Sequence, residues 1–506
     1  MKILRRILLG MMVLCLLAVV AFVTLVGPWP LYADSNYKES RYFAQALAAI
    51  EAQAAKTTVG EKVQSLKAGW AQREITPEAG HPMAGYGGRA NDKKSKGVLD
   101  PLYVKALALS DGTDTVVLIG SDMLQTLPNL LEAIEARISK SVNLTNRNIM
   151  YTSSHTHCGP GGFAPGFAAE LSYGPYKPEY LDVLVDSFSG AIEEAVNTMA
   201  PAWFAHSAVA VPEYIRNRTR PHGTVDPTLN VAVVEKADGG ERLYLARYSA
   251  HGTTYSEEML ELNGDYAGAF QRSVLEKSGM PLLFMGGAMG SMRPNPPGPP
   301  VPEPFTKAQE LGFEHDVEAT LVREGKMTTE GWLDKQRARV EAMGVALAEQ
   351  LLDPTQGLSF TDTVDIASLD AIYDPPSAQV RILSPKWRLS PFAFNLLGVP
   401  KKGRMQAARI GDMFLVGMPN DFSGETSRVW QEWAQERNAK LWVTSFSGAY
   451  LGYLSPDKYY HEMGEGLHYN QNYEIGMMSW FGPNHEAYVT DLFHHAFETL
   501  TDSDKS

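Results

Sequence analysis

The ten residues Ser153–Gly162, S-S-H-T-H-C-G-P-G-G, constrain this chain more than any other segment. They follow Asn148–Thr152, an apolar run that reads as a strand, and Gly159, Pro160, Gly161 and Gly162 force a turn behind them. A strand that ends in a glycine turn suits a place where a substrate or ion must approach the backbone closely. His155 and His157 stand two apart, so continued strand geometry points both to one side. Imidazole is the commonest metal ligand and a general acid or base near neutral pH, and two of them at a strand end make an active-site arrangement.

Around this block the chain alternates strands and helices. Strands are expected at Val116–Gly120, Asn148–Thr152, Trp203–Val211, Leu243–Ser249, Leu282–Met285, Gln406–Gly417 and Leu441–Phe446. Helices are expected at Pro178–Met199, Gly268–Lys277, Thr329–Leu352, Glu425–Arg437 and Glu486–Leu500. Glu39–Leu66 reads as a helical lead-in or stalk, and the proline-rich Pro294–Pro304 as a surface loop. No linker leads to a second module. The expected fold class is α/β, a single large catalytic domain with mixed β-sheets flanked by helices over residues 66–506. Residues 31–65 form the lead-in, and residues 1–30 an N-terminal transmembrane signal anchor.

The anchor is read from charge and length. Lys2, Arg5 and Arg6 precede an uncharged run from Ile7 to about Pro28, long enough to span a bilayer with its basic flank in the cytoplasm. A cleaved signal peptide has a shorter apolar core and small residues before the cut. It is the alternative here, and both readings put the domain outside the cytoplasm, in the periplasm or extracellular space. The formal charge of −13 becomes −16 once the three cations of the flank are set aside, which argues against a nucleic-acid partner. Two cysteines, Cys15 in the anchor and Cys158 beside the histidines, allow no internal disulfide framework. Stability must come from core burial.

Further polar residues fall at strand ends: Arg218 after Trp203–Val211, His251 after Leu243–Ser249, Asp421 after Gln406–Gly417, and Tyr450 after Leu441–Phe446. Singly, such residues serve as hydrogen-bonded structural histidines, helix N-caps or half-buried packing. Together, His155, His251, Asp421 and Tyr450 supply two nitrogen and two oxygen ligands, a chemically sensible zinc shell.

An ordered series of motifs carries a resemblance. Met83-Ala84-Gly85-Tyr86-Gly87-Gly88-Arg89 fits an M-x-G-Y segment, and Ser154–Gly162 fits T-H-T-H-S-G-P-G-G. Arg216–Thr219 with Asp226-Pro227 fits N-R-S and its downstream acidic segment. Tyr248–Thr253, Asn263–Gly268, and Tyr473-Glu474 with Phe481-Gly482-Pro483 follow in order. On these motifs the chain, from about Leu66 to Asn484, resembles the catalytic domain of the neutral/alkaline non-lysosomal ceramidases. The resemblance implies a zinc-dependent amidase acting on ceramide or a related lipid amide through a zinc-bound hydroxide. It implies His155, His251, Asp421 and Tyr450 as ligands to Zn2+, and His157, Arg218 and Tyr473 as groups facing the scissile amide.

Four departures accompany the resemblance. Arg293 stands in Gly290–Asn295 where the family has a serine, with Ser291 nearby at an aspartate position. Asp421 replaces a glutamate one methylene longer, so either the backbone sits closer or Glu425, one helical turn on, reaches in; Asp421 is the favoured ligand. Cys158 occupies a serine position and is expected to pack rather than ligate. An insertion, Tyr459–Gln471, carries His461, Glu462, Glu465 and His468 and is expected to form a lid over the site, to add a second metal ligand set, or to be a solvated loop. The family's separate C-terminal β-rich domain is expected to be missing. Two further function classes stand beside the amidase: a membrane-anchored binding protein that kept fold and metal, and a hydrolase using Cys158.

Overall fold

Two stacked β-sheets carry the architecture. The structure is a computed structural model describing residues 2–29, 36–57, 65–87, 89, 94–220, 222–297, 318, 321–382, 384–462 and 474–501. The first sheet has eight strands, in the order Leu282–Gly286, Arg242–Tyr248, Thr228–Lys236, Ala200–Ala210, Lys67–Glu74, Tyr103–Ser110, Thr115–Ser121 and Ile149–Ser153. It is antiparallel except at both edges, where Leu282–Gly286 runs parallel to Arg242–Tyr248 and Ile149–Ser153 parallel to Thr115–Ser121. The sheet curls until those edges meet, and a side chain at Gly286 would run into the Ser153 carbonyl. The second sheet has four strands: Ile366–Tyr373, Gly403–Ile410, Met413–Gly417 and Lys440–Thr444.

Apolar side chains of both sheets fill the space between them, among them Leu118, Met150, Leu245 and Met285 facing Ala408, Leu415 and Trp442. Helices cover the outer faces. Pro128–Ser141 and Pro178–Asn197 pack on one part of the first sheet, and Asp265–Ser278 with Thr329–Leu352 on another. Arg41–Ala54, Gly424–Gln435 and His485–Thr501 close the second. Burying each large apolar side chain contributes about 1.5–3 kcal/mol, which lets the fold stand with both cysteines free. The helix Lys2–Leu25 is different: its stretch Ile3–Leu25 is long and apolar enough to cross a membrane, and none of it is buried in the domain.

Several expectations change. Gln406–Gly417 is not one strand but a hairpin, because Gly411, at φ +62°, turns the chain between Ile410 and Met413. Tyr103–Ser110 is a central strand that the sequence reading left out, since its run of Ala and Leu has no period of two. The lead-in does not stand off as a stalk. Its helix Arg41–Ala54 buries Phe43, Ala46, Ile50 and Ala54 in the second core, with Ser40 capping its N-terminus. Pro294 ends a short strand, Met292–Pro294, antiparallel to Ile215–Asn217, so the expected loop begins in regular structure; residues 298–304 lie outside the described residues.

One buried ion pair anchors a site-bearing strand. Arg247 donates to Asp226 at 2.7 Å with both side chains fully buried, and Asp226 also accepts from Ser249, Ser427 and Gln431. Ser249 lies two residues before His251 and accepts from the Ala288 amide, so this network fixes where the strand releases its histidine. Removing one partner of such a pair strands the other's charge, at a cost of about 3–5 kcal/mol. Asp226→Ala is therefore expected to lower the unfolding free energy of the detergent-solubilised chain by that amount, seen as a lower guanidinium midpoint. An unchanged midpoint would refute the anchoring role.

Candidate metal centre

The strand Ile149–Ser153 ends before the histidines. His155 adopts φ +57° and Phe446, past the end of Lys440–Thr444, adopts φ +62°, a conformation that costs a non-glycine residue about 1–2 kcal/mol. Their rings stack at 3.7 Å with 3° between planes, so two strained chain reversals hold one imidazole in place. His155 and His157 do converge, but through this left-handed turn and not through strand alternation. His157 Nε2 lies 3.3 Å from His155 Nε2 and 3.0 Å from His251 Nε2.

The opposite ring nitrogens decide what those Nε2 atoms can do. His155 Nδ1 donates to the Leu124 carbonyl at 2.7 Å, and His251 Nδ1 to the Met289 carbonyl at 3.2 Å. A carbonyl only accepts, so both Nδ1 atoms carry the proton and both Nε2 atoms present lone pairs. Burial first, then neighbouring charge, keeps all three imidazoles neutral: His155 is lowered to about 3, and His157 and His251 lie well below their ordinary value. His157 Nε2 faces both lone pairs, and can donate a proton to one of them or turn its own lone pair toward a cation held among the three. The three residues thus form a buried group that could hold a metal ion.

His157 has a tightly packed back. Gly85, at φ +106°, sits where any β-carbon would lie 2.7 Å from His157 Cγ. The Tyr86 ring lies 4.8 Å from the His157 ring, and the buried Arg89 guanidinium donates to the His157, Ala84 and Met259 carbonyls. The M-A-G-Y segment is therefore a seat for this histidine.

Asp421 lies beside the imidazoles. Its carboxylate oxygens are 4.0 Å from His155 Nε2 and 4.0 Å from His251 Nδ1. Gly290 lets the backbone come this close, because a side chain there would strike the Asp421 carbonyl, while the Gly290 amide donates to Phe422 at 2.7 Å. The cap of the following helix is Ser423, leaving Asp421 free of that duty. Glu425 is engaged elsewhere, accepting from Asn217 at 3.0 Å and Tyr459 at 2.7 Å. Burial pushes the Asp421 carboxyl up to about 7, against the pull of Arg218 and a hydrogen bond from Tyr453.

Tyr453 is the tyrosine the sequence reading passed over. Residues Asp421–Phe422 and Tyr453–Leu454 pair as a short parallel ladder with Asp421 opposite Tyr453. The Tyr453 hydroxyl bonds Asp421 and accepts from Arg218 at 2.9 Å. Tyr450, the tyrosine chosen from sequence, is half-buried with its ring edge-on to Trp480 at 5.5 Å.

Arg218 stands between two buried carboxylates. It lies 4.0 Å from Asp421 and 3.3 Å from Glu474, and its Nε also donates to the Gly290 carbonyl at 3.1 Å. Burial raises Glu474, and Arg218 opposes that rise. Glu474 was read only as a motif letter; its neighbour Tyr473 lies outside the described residues, as do residues 463–471 of the insertion. Ser291 uses its hydroxyl to accept from the Gly424 amide at 3.0 Å, and Arg293 sits in the strand paired with Arg216. Cys158 is fully buried in the first core, its thiol pushed up to about 12 by burial, so it remains protonated.

The chain is also similar in sequence and fold to known proteins. Residues 66–278 match the neutral/alkaline non-lysosomal ceramidase family in its N-terminal part. The neutral ceramidase of Mycobacterium tuberculosis is 26% identical over 259 residues, which cover 46% of this chain and 40% of that protein. The neutral ceramidase of Pseudomonas aeruginosa is 22% identical over 275 residues, 50% of this chain and 41% of that protein. The matched region thus spans about two fifths of the length of these curated relatives. In three dimensions the likeness runs further. The crystal structure of the Pseudomonas aeruginosa enzyme superposes with a TM-score of 0.67 at 18% identity, covering 87% of this chain and 75% of that one. A ceramidase complexed with C2 gives 0.64 at 17% identity over 86% of this chain and 75% of that one. Over residues 66–278 by sequence, and over most of its length by fold, the chain is similar to the neutral/alkaline non-lysosomal ceramidases.

Proposed function

We propose that this chain is a zinc-dependent amidase that hydrolyses the N-acyl amide bond of ceramide or a related lipid amide, with residues 66–506 as the catalytic unit. The observation that carries the reading is the meeting of three neutral imidazole Nε2 atoms, 3.0 and 3.3 Å apart, beside a buried carboxylate. Nitrogen and oxygen donors in this mixture suit zinc. His155, His251 and Asp421 are the proposed protein ligands. The oxygen ligand sought in Tyr450 is better supplied by Tyr453, whose hydroxyl already meets Asp421. When bound, the ion supplies an acidified water and polarises the amide carbonyl.

The chain's own groups do the remainder. Arg218, fixed by Gly290, Tyr453 and Glu474, presents a permanently charged donor to an oxyanion developing on the amide carbon. His157 is neutral at physiological pH and seated against Gly85 and Tyr86, so it can take a proton and pass it to the leaving amine. Tyr473 is proposed to face the same amide. The positive flank of Lys2, Arg5 and Arg6 favours a cytoplasmic N-terminus, which puts the catalytic unit outside the cytoplasm on a membrane-anchored chain. The bound thiol chemistry needed for a Cys158 hydrolase finds no support in a buried, protonated sulfur.

The full chain purified in detergent is expected to hold one zinc and to release fatty acid from a short-chain fluorescent ceramide. His251→Ala should lose both, with activity falling at least ~100-fold; retained hydrolysis without zinc would overturn the reading. Arg218→Lys keeps the charge and loses the planar fork, so kcat should drop about 100- to 1000-fold with zinc content unchanged. A variant that instead loses zinc would move Arg218 from chemistry to ligand positioning. Chelation should abolish turnover, while iodoacetamide at pH 8 should leave it intact, because Cys158 stays a thiol well above that pH. The reverse pattern would favour the cysteine mechanism.

A further inference from the structure

Where the apolar helix ends, it is stitched to the domain. Val26 and Gly27 pair antiparallel with Leu389 and Arg388, the Ser390 amide donates to the Leu25 carbonyl at 2.9 Å, and Arg388 donates to the Trp29 carbonyl at 2.9 Å. Phe22, inside the apolar stretch, packs its ring 5.9 Å from that of Trp387. Ser390 is also the N-cap of the short helix Pro391–Leu396. The apolar part Ile7–Leu25, at about 1.5 Å per residue, is about 28 Å long, close to the ~30 Å hydrocarbon thickness. Its end therefore falls at the outer interface, and Ser390 falls there with it.

The short helix divides its faces sharply. Ala393 and Phe394 are buried, whereas Phe392 is 62% and Leu396 67% exposed. Lys386 precedes it and Lys401 and Lys402 follow, all exposed, the last paired with Asp374 at 2.6 Å. Apolar side chains flanked by lysines are the composition of a segment lying in the headgroup region. The exported part carries a formal charge of −16, so its bulk is not drawn to an anionic bilayer; a local element is needed to hold it down.

We infer that residues 384–397 are a membrane-seating element, with Phe392 and Leu396 inserted into the lipid surface beside the exit of the apolar helix. This rests on that helix being a membrane anchor. The element also abuts the candidate site. Phe394 packs on Trp480 and Phe481 at 5.9 Å each, and the Trp480 ring lies against Gly452, whose carbonyl accepts from the Asp421 amide at 3.0 Å. Seating the element thus brings one wall of the site to the bilayer, where a lipid amide resides.

The test uses the full chain in vesicles of phosphatidylcholine and phosphatidylglycerol, with some lipids carrying a nitroxide on the acyl chain near the headgroup. A polarity-sensitive dye is placed on single thiols: native Cys15, Phe392→Cys, Leu396→Cys, or Asp238→Cys, the last three in a Cys15→Ser background. Cys158 is buried and stays unlabelled. Asp238 lies in the turn at the far end of strand Arg242–Tyr248 from His251 and serves as the water-facing control. Blue-shifted emission and nitroxide quenching at 392 and 396, absent at 238, is the expected result. Quenching at Cys15 with water-like emission at 392 and 396 overturns the seating proposal alone. Blue-shifted but unquenched dye at those positions also overturns it, in favour of contact with protein or a second copy. No quenching at Cys15 removes the anchor reading and the proposal with it, while leaving the amidase reading untouched.

Discussion

The site depends on two imidazole lone pairs that the backbone holds facing one point. His155 and His251 each spend the Nδ1 proton on a backbone carbonyl, which fixes their Nε2 lone pairs toward the same point. His157 Nε2 joins them, and its Nδ1 is buried without a hydrogen-bond partner among the described residues. The fold spends strain to make this arrangement: two non-glycine residues at positive φ, stacked ring on ring, and two glycines that let backbone press against His157 and Asp421. Such strain persists only where surrounding packing over-determines it. Here the two sheets, the Arg247–Asp226 pair and the Arg89 contacts do so.

Much of the centre was legible in sequence because it lies in local motifs at strand ends. His155, His157, His251, Arg218 and Asp421 each follow an apolar run, and the structure brings all five together. Strand alternation does not aim the histidine pair: it stops at Ser153, and the left-handed residue His155 does the aiming. Tyr453 was out of reach. Two tyrosines stand three apart in Tyr450–Tyr453, and only the long-range ladder to Asp421 distinguishes them. Glu474 was out of reach for the same reason, since its meaning comes from Arg218, far away in the chain.

The shorter carboxylate also finds its answer in backbone placement. An aspartate in place of a glutamate loses a methylene of reach, and the alternative partner Glu425 is committed to Asn217 and Tyr459. Gly290 accepts the close approach of Asp421, and its segment carries Ser291, whose hydroxyl holds the Gly424 amide. The stretch in which Arg293 replaces a serine therefore still shapes the site, as scaffold. Its Gly290–Ser291 end is fixed by hydrogen bonds with Phe422, Gly424 and the Arg218 amide, and its far end by the Asn295 amide donating to the Tyr214 carbonyl.

Charge balance links the scaffold to the chemistry. Within the buried cluster Arg218 contributes one positive charge, and Asp421 and Glu474, when ionised, two negative ones, against three neutral imidazoles. That leaves one negative charge in a place of low polarity, and the protein answers by raising Asp421 to about 7 and raising Glu474 as well. A divalent cation reverses the sign and leaves one positive charge. A hydroxide nucleophile and the oxyanion formed when it attacks each carry one negative charge, so the loaded site would offset that charge throughout the attack. Without Glu474 the same cluster would carry one more positive charge, so its carboxylate sets the balance around Arg218.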